Sequence, residues 1–227
     1  MSAMLRVPAM RLRHSIGDEN GAVLVEVTIV MTIMFVFILG SIEFLFALFQ
    51  WNAATKAVQI GARIAAVSDP VAAGLNNLSL AVVSAAVPPG SAMPYFMVTC
   101  DGATASCTCN TVGACPGVGG YNEAAMRTLV FGRGSSSCVD ATSYYDTGMC
   151  DIFPRIRPEN VVIVYTQTGL GYAGRPGGPV PTIAISLQNL SFQFFFLSGL
   201  RGFKDIPMPA LTTSITAEDL SSAAPLF

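Results

Sequence analysis

Two glutamates in an apolar run, and six cysteines well downstream of it, are the side chains best placed to do chemistry in this chain. Glu26 follows Gly21 by five positions, and Glu43 closes a stretch, Val27 to Ile42, that carries no charge. A carboxylate in a membrane-length apolar segment is costly unless partnered and by default marks function. The plainer reading of Glu26 is a helix-start carboxylate favoured by the helix dipole. The cysteines, Cys100, Cys107, Cys109, Cys115, Cys138 and Cys150, lie in a Gly- and Ser-rich region. An even count confined to such a region points to disulfides formed in an oxidising compartment. Short-loop pairing within 100–115, with Cys138 joined to Cys150, is the economical arrangement. Zinc is the competing use of Cys107-Thr-Cys109 and Cys115, but no paired Cys-x-x-Cys knuckle is present. The single histidine, His14, lies near the N-terminus.

Other chemistry finds little support. Gly169-Leu-Gly-Tyr-Ala-Gly174 matches G-x-G-x-x-G after a strand-like run. A phosphate-binding turn needs a helix to start there, and Arg175-Pro-Gly-Gly-Pro179 forbids one, so a hairpin loop is expected. Asp140, Asp146 and Asp151 read as turn-forming aspartates in a solvated loop and lack the alternating oxygen pattern of a calcium site. No nucleophile can be paired with a base. The formal net charge is −2, with no basic run, which argues against nucleic acid as a partner. Neither enzymatic activity nor a cofactor is expected.

The elements that position these residues begin with the apolar run. Of 227 residues, 52% are hydrophobic and only 11% charged, less than half the charged share of about 25% usual in soluble domains. Ala22 to Phe49 exceeds the roughly 20 residues needed to cross a bilayer core, and Trp51 follows where an interfacial aromatic would sit. The run is apolar on every face, unlike a striped core helix. It is also longer than the ~7–15-residue core of a secretory signal and lacks its small-x-small cleavage site. Arg6, Arg11 and Arg13 precede it, against Lys56 and Arg63 after it. That bias places the N-terminus in the cytoplasm and the cysteines outside.

Helix formers continue from Asn52 to Val67, with an apolar stripe at Ala54, Val58, Ala62 and Ala65, until Ser68-Asp69-Pro70 ends the helix. Leu75–Val87 has helical spacing and predicts a second helix, stopped by Pro88-Pro89-Gly90. Tyr95–Val98 predicts a strand, Gly102–Gly120 a loop, and Tyr121–Phe131 a short helix. Val161–Tyr165, Thr182–Leu187 and Leu190–Phe194 predict an antiparallel pair or triple packed on the upper part of the long helix, and Thr212–Thr216 a last edge strand. Phe192, Phe194, Phe195 and Phe196 are expected in the core, with any exposed part available for a subunit contact. Disorder is expected for Ser221–Phe227.

Gly21-Ala-Val-Leu-Val-Glu26 before a long span resembles the prepilin cleavage signal, in which a prepilin peptidase cuts after the glycine. Ala22 would then be the new N-terminus, and Glu26 could neutralise the amine of a neighbouring subunit in a filament. With Gly40-Ser-Ile-Glu43-Phe44, Asn52-Ala-Ala, Ala57 and Gly61-Ala-Arg63, the first third of the chain resembles the TadE-like minor pseudopilins of the Tad (Flp) pilus system. Gly169–Gly174 and its flanking strands extend that likeness loosely. Val27 departs from it, since an aromatic follows the first glutamate in the major pilins and many pseudopilins. The large C-terminal region also separates this chain from the very short major pilins.

The resemblance implies a cleavable leader (1–21), a transmembrane helix with its periplasmic extension (22–67) and a periplasmic α+β domain (68–227) with an antiparallel sheet and disulfide-stapled loops. It implies a structural role in pilus initiation or assembly, serving adhesion, in the bacterial inner membrane. The implied partners are prepilin peptidase, other pilins or pseudopilins, and inner-membrane assembly proteins. The rival is an anchored periplasmic binding or sensor module outside any filament, which would need neither Gly21 nor Glu26.

Overall fold

The computed structural model describes residues 19–110, 115–138, 146–196, 198, 206–217 and 220–222. Arg6, Arg11, Arg13, His14 and Asp140 lie outside them. The chain divides into two compact units, residues 1–45 and 46–227.

Helix α1 runs from Glu19 to Ala66. Within the first unit its described side chains other than Glu43 are exposed, with Val23, Leu24, Phe35, Val36 and Phe37 each more than half exposed. The three hydroxyls of this stretch are satisfied by the helix itself. Thr28, Thr32 and Ser41 each donate to the carbonyl four residues back, at 2.7, 2.8 and 2.8 Å. Apart from its glutamates, a segment so composed asks nothing of its surroundings in hydrogen bonds, which is the condition for lying in lipid. Among the described residues α1 is the one helix long and apolar enough to cross a membrane.

In the second unit, the remainder of α1 changes character. Ala54, Ala57, Val58, Ala62 and Ala65 are buried and share one hydrophobic core with the buried face of a sheet. That sheet has five antiparallel strands in the order β3-β2-β5-β6-β7. They are β2 Met97–Asp101, β3 Ser106–Cys109, β5 Val161–Thr166, β6 Thr182–Leu187 and β7 Leu211–Thr216. Burial alternates along β5 and β6, so Val161, Ile163, Tyr165, Ile183, Ile185 and Leu187 point inward, as a one-sided pleated sheet requires. A two-residue pair, β1 Ala72–Ala73 with β4 Gly120–Tyr121, lies beside the exit of α1. Short helices α2 Leu78–Ala81, α3 Glu123–Phe131 and α4 Met149–Ile152 complete the unit.

Asn122 fixes where α3 begins. Its Oδ1 accepts from the Ala125 amide at 3.2 Å, while its own amide donates to the Val71 carbonyl at 2.8 Å. One side chain thus caps α3, and its backbone ties that cap to the turn that follows α1. At the other end, Gly132 has φ +86°, and a Cβ there would collide with the Asp146 carbonyl, so only glycine closes this helix.

Several sequence expectations are corrected. The helix predicted over Leu75–Val87 is a 3₁₀ turn at Leu75–Asn77 followed by the single turn of α2. The Ser79 carbonyl accepts from the Gly174 amide at 2.6 Å, and the Val83 amide turns to the Leu80 carbonyl instead. The α-helical ladder therefore stops there. Leu190–Phe194 is not a strand; it is irregular apart from one isolated bridge, Ser191 to Pro207. The predicted loop Gly102–Gly120 contains β3, which makes the sheet larger than a pair or triple. The first strand is shifted from Tyr95–Val98 to Met97–Asp101. At the C-terminal end, Ser222 exchanges two hydrogen bonds with Asp69, at 2.9 and 3.1 Å, and Leu220 is 1% exposed. The expectation of disorder fails for Ser221 and Ser222, and the rest of that segment lies outside the described residues.

Candidate functional site

In the first unit, Gly21, Ala22 and Glu26 lie exposed within the first two turns or so of α1. Gly21 belongs to the opening turn, where backbone N–H groups have no partner within the helix. A Cβ at Gly21 would meet nothing within 4 Å, so no packing demand explains a glycine there. Glu43 is the exception in this unit. It is 2% exposed, alone in that respect among the described residues of 21–45. The two glutamates are about 26 Å apart along the helix axis, given its rise of ~1.5 Å per residue, so they do not form one site.

In the second unit, a polar cluster sits directly after the apolar run. Gln50 is 3% exposed. Its Oε1 accepts from the Arg155 guanidinium at 3.2 Å and from the Gln193 amide at 2.9 Å, and its Nε2 donates to the Gln193 carbonyl at 2.7 Å. Arg155 also donates to the Ser191 carbonyl at 2.6 Å. Trp51 and Phe192 stack beside it, with ring centroids 6.5 Å apart. Neither Gln50 nor Arg155 was expected from sequence. The available signal was an uncharged amide placed between Phe49 and Trp51, where an apolar residue would have continued the run.

Farther along α1, Gly61 lies against the buried Met149, whose Sδ would be 2.5 Å from a Cβ at that position. Ala62 is buried and Arg63 exposed. The glycine of Gly61-Ala-Arg63 is therefore what lets α4 close on the helix.

The six cysteines form three disulfides, Cys100–Cys107, Cys109–Cys115 and Cys138–Cys150. Cys100 and Cys107 are directly opposed on β2 and β3, so the first bridge staples that hairpin. Asp151 serves as a cap, its Oδ2 accepting from the Gly148 amide at 2.8 Å. The Gly169–Gly174 stretch is the connection between β5 and β6. Buried beneath these elements, the Tyr165 hydroxyl accepts from the Val71 amide at 3.0 Å, and burial pushes its pKa up. Tyr121 is raised as well, first by burial and then by Glu123 and Asp101.

Residues 21–63 match the family of TadE-like proteins. This segment is TadE-like. The match begins at Gly21 and ends at Arg63, so it contains both glutamates, Gln50 and the Gly61-Ala-Arg63 contact. The TadE-like segment covers the exposed apolar helix and most of the alanine stripe, and leaves the sheet and the disulfides outside it. No curated protein and no solved structure matches the chain.

Proposed function

We propose that this chain is a minor pseudopilin of a Tad (Flp) pilus system, a structural component and not an enzyme. In this reading a prepilin peptidase removes residues 1–21, and the mature chain is held in the bacterial inner membrane by α1, with the cysteine-bearing domain in the periplasm. It acts in pilus initiation or assembly, with other pilins or pseudopilins and inner-membrane assembly proteins as partners.

The observation that carries the reading is the TadE-like match, which begins at Gly21 in the first turn of α1, bears Glu26 five positions on, and runs through a stretch that is apolar and exposed to residue 45 except at its glutamates. Gly21 lies in the first helical turn, which a peptidase can unwind without breaking a full hydrogen-bond ladder. Three disulfides in one unit agree with a compartment that permits them. Mass spectrometry of the chain's N-terminus in its native host tests the processing step. The expected first residue is Ala22, and it should revert to the unprocessed N-terminus when Gly21 is replaced by a bulky residue. An intact leader in the native chain sinks the reading.

A further inference from the structure

The segment after β6 carries a run of aromatics, and the structure shows two of them facing outward. Phe195 is 64% exposed and Phe196 49%. They are not scattered singly. Phe195 packs on Phe46, with ring centroids 4.4 Å apart, and Phe192 stacks on Trp51. Phe49, on the same helical stretch, is 67% exposed. All six residues belong to the second compact unit. The patch is held in place by backbone, because the Gln50 amide bonds both the N–H and the C=O of Gln193. Large exposed aromatics on a braced loop mark an interaction surface.

The occupant follows from where Phe46, Phe49 and Trp51 fall in the apolar run. Ala22 to Phe49 in helix extends roughly 42 Å at ~1.5 Å per residue, and a bilayer with its headgroup layers is about 40–45 Å thick. A span that begins at Ala22 therefore brings Phe46 through Trp51 to the opposite headgroup level, where tryptophan and other aromatics are favoured. Phe195 touches Phe46 and so lies at the same depth. We propose that Phe195 and Phe196 form a second membrane contact, a foot by which the folded domain inserts into the headgroup–acyl boundary of the leaflet from which α1 emerges. An apolar ring buried a few ångströms into that boundary is the ordinary mode of interfacial attachment. The domain is then fixed to the bilayer at two points, the helix and the foot, and cannot swing freely about the end of α1. The foot rests on the membrane-spanning reading of α1, but no processing or filament is needed for it.

The test uses the full chain in vesicles of phosphatidylethanolamine and phosphatidylglycerol, with and without lipids brominated near the top of the acyl chain. Trp51 is the one tryptophan, so Trp51→Phe gives a silent background into which Phe195→Trp or Phe196→Trp is placed. Tyr172→Trp, at a 45% exposed position outside the patch, is the reference. Brominated lipid is expected to quench the indole introduced by Phe195→Trp or Phe196→Trp by a factor of about 2 or more, as for a ring at the acyl boundary. The indole of the Tyr172→Trp reference should stay unquenched. Either foot position alone carries the test if the other variant does not fold. Protein that floats with alkali-washed vesicles while both foot positions stay unquenched overturns the foot and leaves the span standing. Blue-shifted but unquenched emission shows protein covering the patch and also overturns it. Protein that does not float at all overturns both readings.

Discussion

Tyr165 shows how one residue joins the helix to the sheet. Its side chain rises from the C-terminal end of β5, and its hydroxyl accepts from Val71, just beyond the end of α1. Replacing it with phenylalanine keeps the ring and leaves the buried Val71 N–H without that partner, an omission that costs about 1–3 kcal/mol. The pH dependence has a definite sign. Burial raises the folded pKa, so the phenol stays neutral in the fold at a pH where it ionises in the unfolded chain, near 10. The resulting stability is present below about 10 and is lost as pH rises toward the folded value. Thermal unfolding should therefore show wild type losing stability with pH above about 10 more steeply than Tyr165→Phe, while the variant is the less stable at neutral pH. Parallel curves for the two proteins would exclude Tyr165 as the source. Tyr121, raised as well, leaves a residual slope in both.

At the scale of elements, what could be read from sequence depended on whether local pattern or a distant partner set the backbone. The long helix was legible because every local cue agreed, from apolar composition through the alanine stripe to Ser68-Asp69-Pro70. Strand β5 was legible as a run of β-branched residues and β6 by its alternation, and both neighbours of each in the sheet are strands. Leu190–Phe194 alternates just as clearly, yet its backbone bonds are shared between the irregular 206–208 segment, where the Phe192 amide donates to the Ile206 carbonyl and the Met208 amide to the Leu190 carbonyl, and the Gln50 side chain, which meets both polar groups of Gln193. Periodicity reports which side chains share a face and is blind to what the backbone bonds. The missed β3 is the converse: four residues, Ser106 to Cys109, whose pairing is enforced by the Cys100–Cys107 bridge. Of the candidate site, Gly21, Glu26, Glu43 and the cysteines were readable from type and spacing, while Gln50 and Arg155 acquire their roles only once residues far apart in sequence meet.

Gln50→Ala removes both bonds to Gln193 and leaves Arg155 with the Ser191 carbonyl. Hydrogen exchange across residues 190–196 should accelerate by about tenfold or more, the equivalent of some 1.4 kcal/mol of lost local protection, with β5 and β6 little changed. An unaltered exchange pattern would mean that aromatic packing, the Arg155 bond and the backbone bonds to Ile206 and Met208 hold the segment without Gln50.

Across the whole molecule the division of labour is sharp. The second unit has a buried core of its own and leaves the aromatic patch of Phe49, Phe195 and Phe196 outside it, while the first exposes nearly all of its apolar surface and carries a charge, Glu26, among it. Surroundings that cover residues 21–45 with lipid or other apolar helices take Glu26 out of water, and an unpartnered carboxylate there is strongly disfavoured. In the proposed reading the amine freed at Ala22 by cleavage is the natural counter-charge, and it lies four residues before Glu26 on the same side of the helix. In the proposed filament a neighbouring subunit brings the same group to Glu26. Glu26→Gln and Glu26→Ala should then both leave cleavage after Gly21 largely intact while lowering the yield of sheared surface pili by about tenfold, since an assembly contact worth ~1.4 kcal/mol or more is lost. Glu26→Gln is the more telling of the two, because it keeps the shape and a hydrogen-bonding head but no charge. Normal piliation in that variant would show that Glu26 is retained for helix initiation, and that pairing with a neighbour's amine has no part in assembly.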